Sequence, residues 1–287
     1  MKQLIAIACI AFLVGKPGLR AQQKKFTEKI KKEISFSGES ENSVIIRNIF
    51  GSISVEGYNG DKILVEVDRT ITSDDLEGLE LGKQELQLKI VQDKKGVILY
   101  PDAPYMEFDK NNLRYNWCNN NEELPYEHKL TYSVKVPYNA KIDVGTVNNG
   151  EVLVENTRGS SIKARNINGG ITLKNVTGKT LVNCINGPVN ISYANNPTSS
   201  SEYYSLNGDI NISYQKSLSA NISFKSMNGE MFTDFDINKQ YMRAQKKSSE
   251  ENKPKYKYEA RPIVQIGNGQ VDFDFETLNG NVFIKKI

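Results

Sequence analysis

From Asn149 onward the chain alternates apolar and polar residues in short runs, and nearly every run is opened by an Asn-Gly pair. The pairs fall at Asn149-Gly150, Asn168-Gly169, Asn186-Gly187, Asn207-Gly208 and Asn228-Gly229, then at Asn268-Gly269 and Asn279-Gly280; the first steps are 19, 18, 21 and 21 residues. The runs that follow read EVLVEN, ITLKNV, PVNISY, DINISY, EMFTDF, QVDFDF and NVFIKK. Alternation of period two predicts strands with one face inward. Val152, Val154, Ile171, Val189, Ile191, Ile210 and Ile212 make that inward set mostly β-branched, as a pleated, half-buried surface favours. A weaker turn, at Thr157-Arg158-Gly159 and Val176-Thr177-Gly178, divides each unit into two strands.

Such strands can pair consecutively as antiparallel hairpins, or each with the strand one full unit later. The near-constant period of 18–21 residues favours the second arrangement. The predicted fold is therefore all-β: a flattened parallel β-helix, or β-solenoid, of two sheets. Asn-Gly takes positive φ at low strain, so the asparagines read as turn formers, not ligands. In register they would form a hydrogen-bonded ladder, with Asn186 between Asn168 and Asn207.

Elsewhere the pattern weakens. Residues 22–40 are charged and Ser-rich and read as an N-terminal arm before a solenoid domain at 41–287. Residues 43–70 return to strands, and Gly51–Val55 matches the post-turn strand of the later units, as a first coil would. Residues 84–100 alternate again. Two segments, 101–128 and 238–262, break the period and read as loop insertions.

The first residues are of another kind. Lys2, the apolar run Leu4–Val14, the breaker Gly15-Lys16-Pro17-Gly18 and then Ala21 follow the order of a secretory signal peptide cleaved after Ala21. The alternative, a lipoprotein signal ending at Cys9, is disfavoured because the apolar run continues past that cysteine. Residues 1–21 hold Lys2, Lys16 and Arg20 and no acids, so the remainder carries 34 basic against 34 acidic residues. A neutral chain has no global field to hold nucleic acid. Of the two cysteines beyond this segment, Cys184 sits in an alternating strand as a small core residue, and its pairing with Cys118 is left open.

Candidate chemistry is sparse. The single histidine, His128, lies between Glu127 and Lys129 and is expected at the surface. No nucleophile elbow accompanies it, and the counts of histidine and cysteine do not suit a zinc site. Strand-face carboxylates, Asp234 with Asp236 and Asp272 with Asp274 and Glu276, are where a polysaccharide-cleaving β-helix would place its acids; as solvent-facing positions of amphipathic strands they need no such role. Tyr105, Tyr115, Trp117 and Tyr126 concentrate aromatic surface in the first insertion, either as a ligand platform or as a small satellite core.

The strand Val134-Lys135-Val136-Pro137 followed by the recurring Asn-Gly units resembles the DUF4097 family of adhesin-like β-strand-repeat proteins. With residues 43–70 and the ending Asn279–Ile284, the resemblance covers most of the chain. It implies an exported or surface-exposed β-solenoid and offers no catalytic residues. The expectation is an exported, noncatalytic structural or adhesin-like binding protein of the cell envelope, periplasmic, surface-borne or extracellular. Its partner would be an envelope protein or a glycan, with no cofactor, no metal, no nucleic acid, and no integral membrane segment after signal cleavage.

Overall fold

The computed structural model describes residues 23–35, 42–118, 123–247 and 257–287; the segment read as a signal peptide lies outside them. In chain order, β1 (Lys24–Ser35) is followed by β2 (Ser43–Arg47), β3 (Ile53–Tyr58), β4 (Lys62–Ser73) and the helix α1 (Leu76–Glu85). Two hairpins come next, β5 (Gln87–Asp93) with β6 (Gly96–Asp102) and β7 (Met106–Asp109) with β8 (Arg114–Trp117). The coils continue through β9 (Glu127–Pro137), β10 (Lys141–Thr146), β11 (Val152–Glu155), β12 (Ser161–Asn168), β13 (Ile171–Val176), β14 (Lys179–Asn186) and β15 (Val189–Tyr193). They end in β16 (Ser201–Asn207), β17 (Ile210–Tyr214), β18 (Ala220–Lys225), β19 (Met231–Thr233), the hairpin β20 (Lys239–Lys247) with β21 (Lys257–Ile266), β22 (Val271–Asn279) and β23 (Val282–Lys286).

Two sheets face each other across the core. Among the described residues, one has ten strands in the order β1-β4-β9-β3-β11-β13-β15-β17-β23-β19; the other has eleven, β20-β21-β18-β22-β16-β14-β12-β10-β2-β6-β5. From β10 to β17 the chain alternates between the sheets, and each strand pairs in parallel with the strand one coil later. This is the predicted parallel solenoid. Inward residues stack in columns, Val152 on Ile171, Ile171 on Val189 and Val189 on Ile210, all at 0–1% exposure. Burial of each such side chain is worth about 1.5–3 kcal/mol. Toward the C-terminal end the core becomes aromatic: Tyr203 stacks on Phe275 and Tyr214 on Phe273, and the buried hydroxyls of Tyr193, Tyr203 and Tyr214 bond one another at 2.7 and 3.0 Å.

Stacking leaves chain order at both ends. The β2–β3 coil lies between β6/β9 on one side and β10/β11 on the other, so the chain steps over it on passing from β9 to β10. The last coil, β22–β23, inserts between β16/β17 and β18/β19. Asn268-Gly269 serves that insertion: it turns the chain round the start of β18, where the Ser219 hydroxyl accepts from the Asn268 amide at 3.0 Å, and Gly267 and Gly269 take φ of 58° and 67°.

The Asn-Gly edge is built of three parallel columns. The outermost is the ladder. Asn168 donates to Asn148, Asn186 to Asn168 and Asn207 to Asn186 at 2.6–2.9 Å; then Asn279 donates to Asn207 and Asn228 to Asn279, both at 2.8 Å. The first rung is Asn148; Asn149 instead takes the left-handed position, with φ of 56°. Beside the ladder runs a glycine column, Gly51, Gly150, Gly169, Gly187, Gly208, Gly280 and Gly229, each packed against the backbone of the one before. Positive φ is not the common requirement: Gly51, Gly169 and Gly280 take it, Gly150, Gly187, Gly208 and Gly229 do not. What excludes a side chain is proximity, since a Cβ on Gly187 would lie 2.5 Å from the Gly169 carbonyl oxygen. The third column is inward and polar, and its members hold turn carbonyls. Asn166 donates to Gly150 and Gly170, Ser205 to Gly187 and Thr277 to Gly280, at 2.9–3.3 Å.

Three expectations change. Residues 24–35, read as an arm, form β1, a twelve-residue strand paired antiparallel to β4. The two insertions are not loops: the first carries β7–β8, and the second is the β20–β21 hairpin, whose β21 pairs with β18 and extends the eleven-stranded sheet. The helix α1, capped by Asp75 accepting from Gly78 at 2.7 Å, was not anticipated; it interrupts a segment whose polar alternation reads as strand on both sides.

Candidate binding surfaces

The aromatic insertion was the leading sequence candidate. Ile45 and Ile98 lie on the outer face of the eleven-stranded sheet, an apolar patch that needs a cover. The β7–β8 hairpin folds onto it. Phe108 stacks on Tyr100 at 4.3 Å and approaches Tyr115 at 5.0 Å, and these rings close a second small core with Ile45 and Ile98. Tyr115 donates to the Pro101 carbonyl at 3.1 Å. Tyr105 and Tyr126 are buried in the main core, at 6% and 3% exposure, and Tyr126 donates to Glu85 at 2.8 Å. Trp117 occupies β8, opposite Met106. Tyr105, Tyr115 and Tyr126 therefore do not form an exposed platform: they serve as the satellite and main cores.

His128 is also inside. The alternation of β9 puts it in phase with Leu130, Tyr132, Val134 and Val136, all buried. That phase is present in the sequence, and it overrides the charged neighbours Glu127 and Lys129, which point away from the core. Its ring meets Phe50 edge-on at 5.2 Å, and Nδ1 is 2.9 Å from the Tyr105 hydroxyl. Among the described residues Nε2 has no partner. Burial lowers its pKa to about 4, because the charged imidazolium would be stripped of water.

The carboxylates are spread, and Asp236 is exposed. On β22, Asp272 accepts from Asn221 at 2.9 Å, Asp274 from the Ser223 hydroxyl, and Glu276 pairs with Lys225 at 3.1 Å, all across the contact with β18. Asp234 follows β19 in the other sheet, where it accepts from the Lys286 amide at 3.4 Å. The structure does not bring the two acidic sets together. Among the described residues no three His, Cys, Asp or Glu side chains are grouped to hold a metal ion. Cys118 is exposed and Cys184 buried, and they are not bonded. Cys184 belongs to the inward polar column, its thiol donating to Gly169 and Gly187 at 3.3 Å, and burial first raises its pKa to about 11.

What remains accessible are the flat outer faces. A groove of about 710 Å³ crosses β1, β4, β9 and β3, lined by Lys31, Glu66, Lys135 and Glu56, which are paired as Lys31–Glu66 and Lys135–Glu56 at 3.0 and 3.3 Å. On the other sheet Arg47, 6% exposed, binds the Asp143 carboxylate at 2.9 Å and the Leu113 carbonyl at 3.3 Å, which ties the β7–β8 hairpin to the coils. Among the described residues no helix is long and apolar enough to cross a membrane.

Stacked parallel coils, a glycine column and an asparagine edge define a two-sheet β-solenoid. The chain belongs to the Toastrack DUF4097 family, whose model matches residues 135–284. Among solved structures it is similar to a candidate cell adhesion protein from Clostridium sporogenes, at 10% identity and a TM-score of 0.38, with 91% of this chain and 100% of that one covered. It is also similar to a candidate adhesin from Bacteroides fragilis, at 10% identity and a TM-score of 0.32, covering 91% and 97%. No curated protein matches it.

Proposed function

We propose that this chain is an exported, noncatalytic, adhesin-like binding protein of the cell envelope, a stiff scaffold that presents its flat faces to an envelope protein or a glycan. The observation that carries this reading is the placement of its carboxylates: Asp272, Asp274 and Glu276 are each bonded to a neighbouring strand, and Asp234 lies apart from them in the other sheet. Residues 1–21 supply the export step, with Gln22 as the first residue of the processed chain. The test has two arms. N-terminal sequencing of protein recovered outside the cytosol should begin at Gln22, and intact Met1 protein confined to the cytosol would defeat the export reading. A glycan array and an envelope pull-down should give saturable binding with the glycan recovered unchanged. Cleavage of a polysaccharide that is lost in Asp274→Asn would instead establish an enzyme using the strand-face carboxylates.

A further inference from the structure

Along the outer face of the eleven-stranded sheet, the residue before each ladder asparagine is aliphatic: Val147, Ile167, Ile185, Leu206, Leu278 and Met227. Val147 packs in part against the main core, whereas Ile167 and Met227 are 42% and 76% exposed. Single exposed aliphatics are ordinary on a protein surface. Here one falls at the same position of six stacked coils, so with strands about 4.8 Å apart they form one stripe about 24 Å long. At one end of the stripe the β7–β8 hairpin covers β2 and β6, which leaves the six strands from β10 to β18 open.

Charge is graded along the same face. On β12 the outward charges are Lys163 and Arg165, the latter also paired with Asp143 on β10; on β22 they are Asp272, Asp274 and Glu276, the last also paired with Lys225 on β18; β14 between them carries Lys179, Leu181 and Asn183. Register sets these residues in rows: Lys163, Leu181, Glu202 and Asp274 in one, Arg165, Asn183, Tyr204 and Glu276 in the next.

We propose that a second copy of this chain docks on this face, as a two-fold dimer whose axis runs parallel to the strands between β14 and β16. That rotation keeps each row in place and reverses the order of the coils. The stripe then meets itself, Ile185 against Leu206 of the second copy and Ile167 against Leu278. Strand β12 faces β22 of the second copy, which sets Lys163 against Asp274 and Arg165 against Glu276. Strand β10 faces β18, which sets Asp143 against Ser223 of the second copy. Such a contact is closed and self-complementary. The aliphatic stripe supplies the nonpolar surface, and the charge gradient selects this register over one with the coils in the same order, where like would face like.

Sedimentation velocity of the full chain over a range of concentrations tests the proposal. The expected result is a reversible monomer–dimer equilibrium. Lys163→Glu should weaken it by about tenfold or more, and Lys163→Glu combined with Asp274→Lys should restore it, because the charges face each other again across the axis. Ile185→Glu, checked by its thermal melt for an intact fold, should leave only monomer. A chain that is monomeric throughout, or a dimer that neither Lys163→Glu nor Ile185→Glu weakens, would overturn the assignment. Should Ile185→Glu unfold the chain, the charge exchange decides alone: a double variant no better associated than Lys163→Glu counts against it.

Discussion

The central coils, β10 to β17, and the N-terminal third, β1 to β9, are held in different ways. In the central coils the same three contacts recur on every turn: a ladder amide, a glycine against a backbone carbonyl, and an inward polar group on the turn. No single side chain is unique, but every turn has two neighbours. In the N-terminal third only the β2–β3 coil shares these contacts, with Gly51 in the glycine column and Asn48 on its turn. The strands of this third are partly antiparallel, and its stability rests on singular contacts such as Arg47 with Asp143, Tyr126 with Glu85 and His128 with Tyr105. The repeat should therefore be brittle to a change of backbone spacing and forgiving of side-chain chemistry, whereas the N-terminal third should respond to individual groups and to pH.

The largest effect should come from spacing. Gly187→Val places a branched side chain against the Gly169 backbone in the middle of the stack and should cost about 3 kcal/mol or more. Ser200→Val, in an exposed turn, should cost less than about 0.5 kcal/mol. Chemical denaturation of both variants checks this, and matched midpoints would mean that the glycine column does not set the coil spacing.

Next comes pH, at His128. Its folded pKa of about 4 lies below the ordinary 6.5, so the neutral ring is favoured on folding. Above pH 6.5 both states are neutral and the full stability is present. As pH falls from 6.5 to 4 only the unfolded state takes up the proton, and about 3 kcal/mol is lost. Comparison of wild type with His128→Gln at pH 7 and pH 4 isolates this from the carboxylates; the gap between the two should shift toward the variant at pH 4. A gap that does not move with pH would place His128 in contact with water.

A smaller loss belongs to the ladder. Asn186→Ala removes one donated and one accepted bond, both exposed, and should cost about 1–2 kcal/mol without altering the fold, as read from the melting temperature and the circular dichroism spectrum. Smallest of all is Cys184→Ser. A hydroxyl can donate to the same turn carbonyls, as Ser205 does one coil later, and the change should stay within about 1 kcal/mol, while Cys184→Val, which cannot donate, should be worse. Equal stability of the serine and valine variants would show that the inward polar column contributes nothing at this coil.

Much of the solenoid was legible in the sequence, because its determinants are local. Period-two alternation, Asn-Gly at 18–21 residue intervals and β-branched inward residues each act within a few residues of one another, and together they determine the strands, the parallel pairing and the rungs Asn168–Asn186–Asn207. The polar column, a Ser, Thr, Asn or Cys two residues before the rung, was not read from the sequence, because its role shows only when the turn carbonyls are seen above it. Tertiary structure alone decided what depends on distant partners. Phe26, Ile30 and Ile34 gave β1 an apolar face, but only the exposed length of β4 provided a strand for it to pair with. The aromatic rings of the first insertion turned inward because Ile45 and Ile98, far away in the chain, needed covering. The place of the last coil between β17 and β19 follows from no local rule: each coil presents the same parallel edge to both neighbours, so repeat chemistry permits any order of stacking, and the β20–β21 hairpin with its return turn at Gly267–Gly269 selects one.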